Sequence, residues 1–171
     1  PVEGIINAEA HYVQQKEDMF MTAFETDVNR LAYGGKPLGN WTMSAVYLPM
    51  ENSGHHVDGY ITHNGNTLAE INGQYNTPLT EEEEDKVNAH LSIYRFPLAL
   101  AGAFVPEEMA QLKGYAGADI SLSGSTSAPV IDGSVTTDSV NVFIPMTSMN
   151  LRFENKPITV KNNKLMFDKY S

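Results

Sequence analysis

The chain has 171 residues, a net charge of −10 from 11 basic and 21 acidic side chains, and no cysteine. This length fits one domain, and the acidic balance argues against nucleic acid and an anionic membrane surface as partners, because both attract clustered Lys and Arg. Without cysteine the chain has no disulfide, no thiol nucleophile and no cysteine metal ligand.

Residues 1–86 predict a β-rich region, because apolar and polar side chains alternate in several runs. Asn64-Gly65, between two such runs, is the strongest hairpin signal of the chain. From Val13 to Leu31 an amphipathic helix competes with a strand, since apolar residues there also recur at helical spacing. The acidic run from Glu81 to Asp85 is interpreted as a solvated, mobile loop, because like charges repel and the spacing is not that of a calcium loop.

Residues 87–171 predict a strand, an apolar helical segment and a meander of short strands. Alternation from Val87 to Ile93 marks the strand. The run from Phe96 to Phe104 is too apolar for a surface loop, and we expect it to pack on the sheet as a plug. The segment Pro106–Gly114 predicts a short helix, because Pro starts it, glutamates follow in the first turn, and Lys and Gly end it. Short strands at roughly 8–12-residue spacing indicate an all-β, mainly antiparallel fold with one or two short helices around residues 97–113.

No pattern in the chain predicts catalysis or metal binding. The common serine-nucleophile, zinc, phosphate-loop and dinucleotide motifs are absent. On one strand, His56 and His63 would point to opposite faces, and His55 and His63 would lie about 26 Å apart. We therefore predict a non-enzymatic protein with no catalytic residue, no cofactor and no metal site.

The apolar strand residues need a partner surface. Hydrophobic residues make up 42% of the chain, yet only the short helix predicted over Pro106–Gly114 is available to cover a sheet. A sheet with one apolar face buries it by folding over, by closing or by binding something. The dry core of a β-sandwich is one interpretation, and an open groove is the other. The candidate lining of that face is Val87, Ala89, Leu91, Ile93, Ile120, Leu122, Val140, Val142, Ile144, Leu151, Phe153, Ile158 and Val160.

Three motifs follow one another in the second half of the chain. They are the apolar Phe96-Pro97-Leu98-Ala99-Leu100, then Gly114-Tyr115-Ala116-Gly117-Ala118-Asp119-Ile120-Ser121-Leu122-Ser123-Gly124-Ser125, then Ala128-Pro129-Val130-Ile131-Asp132-Gly133-Ser134-Val135. In this order and spacing, residues 87–171 resemble the C-terminal domain of the TamB family, the translocation and assembly module inner-membrane component, a relative of AsmA-like proteins. Residues 1–86 carry no motif of that family, although their β pattern is compatible with it. We treat residues 1–171 as one domain fragment with these two regions.

The resemblance implies a curved or folded-over β-sheet whose hydrophobic groove bridges the inner and outer bacterial membranes. It implies a role in carrying phospholipid acyl chains and in assembling outer-membrane proteins. The implied partners are phospholipid, a nascent outer-membrane protein and a BamA-like outer-membrane barrel. The chain would then be a periplasmic fragment of an inner-membrane-anchored envelope protein, with the anchor outside residues 1–171.

An alternative from another class is a closed β-sandwich that binds carbohydrate or protein within a larger assembly. Trp41, Tyr47, Tyr60 and Tyr75 would then form an exposed aromatic platform.

Overall fold

The structure, a computed structural model, describes residues 1–16, 19–51, 53–80 and 83–166. Glu81 and Glu82, which begin the predicted acidic loop, lie outside the described residues. The elements in chain order are β1 (Val2–Lys16), β2 (Met19–Tyr33), β3 (Lys36–Met50), β4 (Gly54–His63), β5 (Asn66–Asn76), β6 (Lys86–Pro97), α1 (Leu98–Gly102), β7 (Gln111–Gly124), β8 (Pro129–Ile144), a 3₁₀ turn (Pro145–Thr147), β9 (Met149–Arg152), β10 (Ile158–Lys161) and β11 (Lys164–Met166).

These strands form one open antiparallel sheet. From β1 to β8 each strand pairs with the next, β10 then pairs with β8 and β11 with β10, while the short β9 also pairs with β8. Among the described residues, strands β1 and β11 end this order, and β9 forms a further short edge beside β8. The all-β, mainly antiparallel fold is therefore confirmed, and β2 is a strand in the region where a helix competed.

The sheet has very little enclosed core. Within the described ranges, Leu38, Leu68 and Val140 are the only hydrophobic residues that are buried, at 5–6% exposure. The folded state therefore depends mainly on the backbone ladders and on side-chain pairs between neighbouring strands, each worth roughly 0.2–1 kcal/mol. Most apolar side chains of the sheet remain partly open to solvent.

The connection from β6 to β7 corrects one prediction. The helix is α1, and the predicted helix over Pro106–Gly114 is wrong. Met109 N and Ala110 N both donate to Pro106 O, which makes a single turn. From Gln111 onward the backbone pairs with β8 instead. The ladder satisfies the same backbone groups that a helix would satisfy, so tertiary pairing overrides the local helix signals.

Strand β8 is longer than the short strands predicted for this region. It has 16 residues and contains a bulge where the sequence looks like a turn. Tyr115 pairs with Asp138 but Lys113 pairs with Asn141, so β8 has one extra residue between these pairs. Such a bulge shifts the alternation of the strand by one. As a result, Val142 joins the side of the sheet that carries the odd-numbered residues earlier in β8.

Candidate functional site: the apolar face of the sheet

The strand register places ten apolar or glycine residues in one row across the sheet. In strand order they are Ala10, Phe24, Ala45, Gly59, Ile71, Leu91, Ile120, Gly133, Val160 and Leu165. Residues paired in this way point to the same side of a sheet. At about 4.8 Å per strand, the row is about 43 Å long. We call this side of the sheet the apolar face.

The opposite side, which we call the polar face, has the contrary composition. Its matching row consists of Glu9, Glu25, Ser44, Tyr60, Glu70, Ser92, Asp119, Ser134 and Thr159. The two faces differ because apolar and polar residues alternate in the sequence, and each one-residue step along a strand moves the side chain to the other face. Water therefore solvates one side well and the other poorly.

The register brings the predicted lining residues together on the apolar face. Leu91 pairs with Ile120, and Ala89 pairs with Leu122. The other members of the set follow by pairing or by two-residue steps from paired positions: Val87, Ile93, Val140, Val142, Ile144, Leu151, Ile158 and Val160. Phe153, just beyond β9, donates its backbone N–H to Val140 O at 3.0 Å. Whether these side chains bind a ligand stays a prediction.

Half of the apolar face was missing from the predicted set. Strands β2 to β5 contribute Phe24, Met43, Val57, Ile61 and Ile71 to it. The signal was present in the alternation along β3 and β4, but the family resemblance covers only residues 87–171. The face therefore extends well beyond the segment that carries the resemblance.

Small residues lower the floor of the apolar face near its centre. Ala45 and Gly59 are paired neighbours on β3 and β4, and larger side chains surround them. The result is a depression of about 390 Å³, whose lining is almost wholly apolar and includes Phe24, Met43 and Ile71. These three side chains are 43%, 41% and 44% exposed. The depression is thus open to solvent along its length.

One end of the apolar face is closed by the segment that follows β6. Leu100 of α1 lines a cavity of about 400 Å³ together with Leu38 and Leu112. The rings of Phe104 and Tyr33 lie 4.8 Å apart between centroids. Of the predicted plug residues, Leu100 packs on the sheet, Phe104 stays 62% exposed beside Tyr33, and Phe96 belongs to β6 and pairs with Ala116.

A salt bridge holds the same segment from outside. Lys36 Nζ lies 2.8 Å from Glu107 Oε1, and this contact lowers the pKa of the Glu107 carboxyl. Both side chains are largely exposed, so the bridge positions the segment more than it stabilises it.

The other end of the apolar face carries three aromatic rings in a stack. Tyr47 on β3, His55 on β4 and Tyr75 on β5 have successive centroid distances of 5.9 Å and interplanar angles of 18° and 23°. A hydrogen bond of 2.7 Å joins Tyr47 OH and His55 Nδ1. The four aromatic rings of the alternative hypothesis do not form one platform, because Trp41 contacts His63 at the other end of β3 and Tyr60 lies on the polar face.

The polar face carries pairs of histidine and carboxylate. His56 Nε2 donates to Asp58 Oδ2 at 2.6 Å, and His90 Nε2 lies 3.3 Å from Asp119 Oδ2. The hydrogen bond from His56, with a second from Asn72, holds the pKa of Asp58 below its ordinary value. These contacts are cross-strand or same-strand pairs on an exposed surface. They order the side chains of the polar face.

Within the described ranges, no three histidine or acidic side chains lie close enough together to hold a metal ion. No helix in that part of the chain has the length and apolarity to cross a membrane.

Comparison of the chain with protein-family models, with curated proteins and with solved structures found no match.

Proposed function

We propose that this chain is a non-enzymatic module of a TamB-like envelope protein, placed in the periplasm, whose apolar face carries phospholipid acyl chains between membranes. The observation that carries the proposal is the continuous row of apolar residues that lies open to solvent across the sheet. A monomeric protein rarely leaves so large an apolar surface uncovered unless the surface binds something. The resemblance of residues 87–171 to the TamB family implies in addition that the cargo is phospholipid and that the location is the periplasm.

The energetics favour a transient carrier over a tight binder. Burying a methylene stabilises a complex by about 0.8 kcal/mol, and an open face hides about half of each methylene. Two acyl chains of roughly twelve methylenes each would then contribute about 10 kcal/mol. Binding also costs at least about 4 kcal/mol of free energy for the loss of translational and rotational freedom. The remainder corresponds to a Kd on the order of micromolar to millimolar. Weak binding of this kind permits cargo to leave.

A pair of charge substitutions tests the proposal. Ile71→Asp places a carboxylate in the central depression, whereas Gln74→Asp places the same charge on the polar face of the same strand. We expect wild type and Gln74→Asp to bind a fluorescent fatty acid equally and to co-purify with lipid in native mass spectrometry. Ile71→Asp should lose tenfold or more in affinity while its circular dichroism spectrum is unchanged. Equal binding by all three proteins, or no binding by wild type, would refute the proposal.

A second cargo, an unfolded strand of an outer-membrane protein, is favoured by the free edge of β1. This strand has 15 residues, and among the described strands β2 is its one partner. Its outer backbone groups form a template to which an extended peptide can add as a further strand. The test is hydrogen exchange with an alternating apolar–polar peptide: slowed exchange of β1 amides would support strand addition, and unchanged β1 amides would exclude it.

A further inference from the structure

We propose that the ring stack of Tyr47, His55 and Tyr75 is a head-group site, and that it selects lipids carrying a primary ammonium, such as phosphatidylethanolamine. This inference rests on the proposed acyl-chain function and names the class of lipid that it would take. Aromatic faces attract ammonium groups through the ring quadrupole. Two tyrosine rings of this kind, with the ring of His55 between them, lie here at one end of an apolar surface.

A fixed carboxylate accompanies the stack. Tyr75 OH donates to Asp85 Oδ2 at 3.5 Å. On its other side, Asp85 accepts hydrogen bonds from Thr126, through the backbone N–H at 3.2 Å and through the side-chain hydroxyl. The carboxylate is therefore held beside the stack by partners on two segments of the chain. An anion in a fixed position next to aromatic rings is the arrangement that a cation favours.

The charge around this end of the sheet has the sign that attracts a cation. Glu83 and Glu84 help to line a depression of about 540 Å³ beside it, where Lys86 is the one basic residue among the described residues of the lining. Lys16, which also lies at this end of the sheet, is already paired with Glu51. A phosphatidylglycerol head group would bring a negative charge to an acidic rim, whereas an ethanolamine head group ends in a positive one.

The position of the stack suits an amphiphile. Tyr47 lies two residues from Ala45 along β3, about 7 Å, and Tyr75 lies four residues from Ile71 along β5, about 13 Å. Ala45 and Ile71 both line the central depression. A head group at the stack therefore leaves its acyl chains directed into the apolar depression, with no polar surface in between.

Three lipids with identical acyl chains of twelve methylenes separate this inference from the proposed function: dimyristoyl phosphatidylethanolamine, dimyristoyl phosphatidylglycerol and dimyristoylglycerol. For wild type at low salt we expect the phosphatidylethanolamine to bind about five- to tenfold more tightly than the phosphatidylglycerol, in line with cation–π energies. Equal binding of the two phospholipids would overturn the head-group site while leaving the acyl-chain function intact. If none of the three lipids bound, both proposals would fall.

Matched variants separate the site from the general negative charge of the protein. Asp85→Asn and the double variant Tyr47→Leu with Tyr75→Leu should each reduce the preference at least threefold. The double variant Tyr47→Phe with Tyr75→Phe keeps the rings and should retain most of it. Glu25→Gln removes the same charge as Asp85→Asn but on the polar face, and should change nothing. An equal effect of Glu25→Gln and Asp85→Asn, or an unchanged preference in the leucine variant, would overturn the site.

Discussion

The openness of the apolar face predicts an unusually small loss of stability when its central side chain is truncated. Ile71 is 44% exposed, although it lies in the middle strand of the apolar row. Ile71→Ala deletes roughly three carbons, worth about 2.4 kcal/mol if they were fully buried. Because only a little over half of the side chain is hidden, we expect a loss of about 1.3 kcal/mol in the free energy of unfolding, without a further term for an enclosed cavity.

Leu38→Ala is the reference substitution. Leu38 is 5% exposed, so nearly the full transfer energy is lost and an enclosed cavity remains. We expect about 3 kcal/mol for this variant. Strand propensity lowers the stability of both variants in the same direction, so the difference between them reports burial. The assay is urea unfolding followed by circular dichroism, with the denaturant slope compared among the three proteins.

A loss of about 3 kcal/mol at Ile71 as well would refute the open face. In that case a concentration series identifies what covers Ile71. A loss that grows with protein concentration would mean that a second copy covers the face, and a constant loss would mean that the chain covers it with its own residues.

Three other measurements test separate features of the sheet. Gly133 has φ +148° and a Cβ there would lie 2.0 Å from Asp119 O, so Gly133→Ala should cost more than about 3 kcal/mol in urea unfolding. Gly34→Ala, at a left-handed turn with open space around it, should cost only about 1 kcal/mol, and equal losses would contradict the clash. His56 holds the pKa of Asp58 low in the folded state, so the stabilisation by their hydrogen bond is present above about pH 4 and is lost as the pH falls further. The difference in stability between wild type and Asp58→Asn should therefore shrink below about pH 4. A difference that stays constant with pH would contradict this. Finally, self-association in sedimentation velocity should rise at about 1 M salt, where charge repulsion is screened within about 3 Å, and unchanged sedimentation would argue against an exposed apolar face.

The two-faced sheet could be predicted from sequence because alternation along a strand is a local property. Val87, Ala89 and Leu91 alternate with polar neighbours, and this alone assigns them to one side. Which strand lies beside which also follows, since short turns such as Asn64-Gly65 leave little choice of partner.

The start of β7 at Gln111, inside the segment where a helix was predicted, and the length of β8 could not be predicted in the same way. Both depend on pairing between segments that are distant in sequence. Gln111 pairs with Phe143, which makes it part of a strand. Asp138-Ser139 resembles a turn in the sequence but forms a bulge, because the pairs of Tyr115 and Lys113 continue the ladder on either side of it. Local rules give the preference of a segment in isolation, and a neighbouring strand changes that preference.

The place of His55 in the ring stack was missed for a related reason, although Tyr47 and Tyr75 both belong to the predicted aromatic platform. Tyr47, His55 and Tyr75 come from three strands, and their sequence positions show no common spacing. His55 was considered only together with other histidines on its own strand, where it has no partner within reach. Cross-strand sites of this kind become visible only when the register is known.

The feature that weakens this fold is also the one that makes a carrier function physically reasonable. A second layer over the apolar face would add stability, but it would occupy the surface that a cargo needs. The apolar connection between β6 and β7, which contains α1, lies over one end of the apolar face and leaves the centre uncovered. Small residues such as Ala45 and Gly59 deepen that centre, where larger side chains would fill it and stabilise the sheet. A net charge of −10 opposes the association of two such faces, which would otherwise be the simplest way to hide them. Under the proposed function, an open, shallow surface would bind acyl chains by area alone and release them easily, because no side chain would have to move before the cargo leaves.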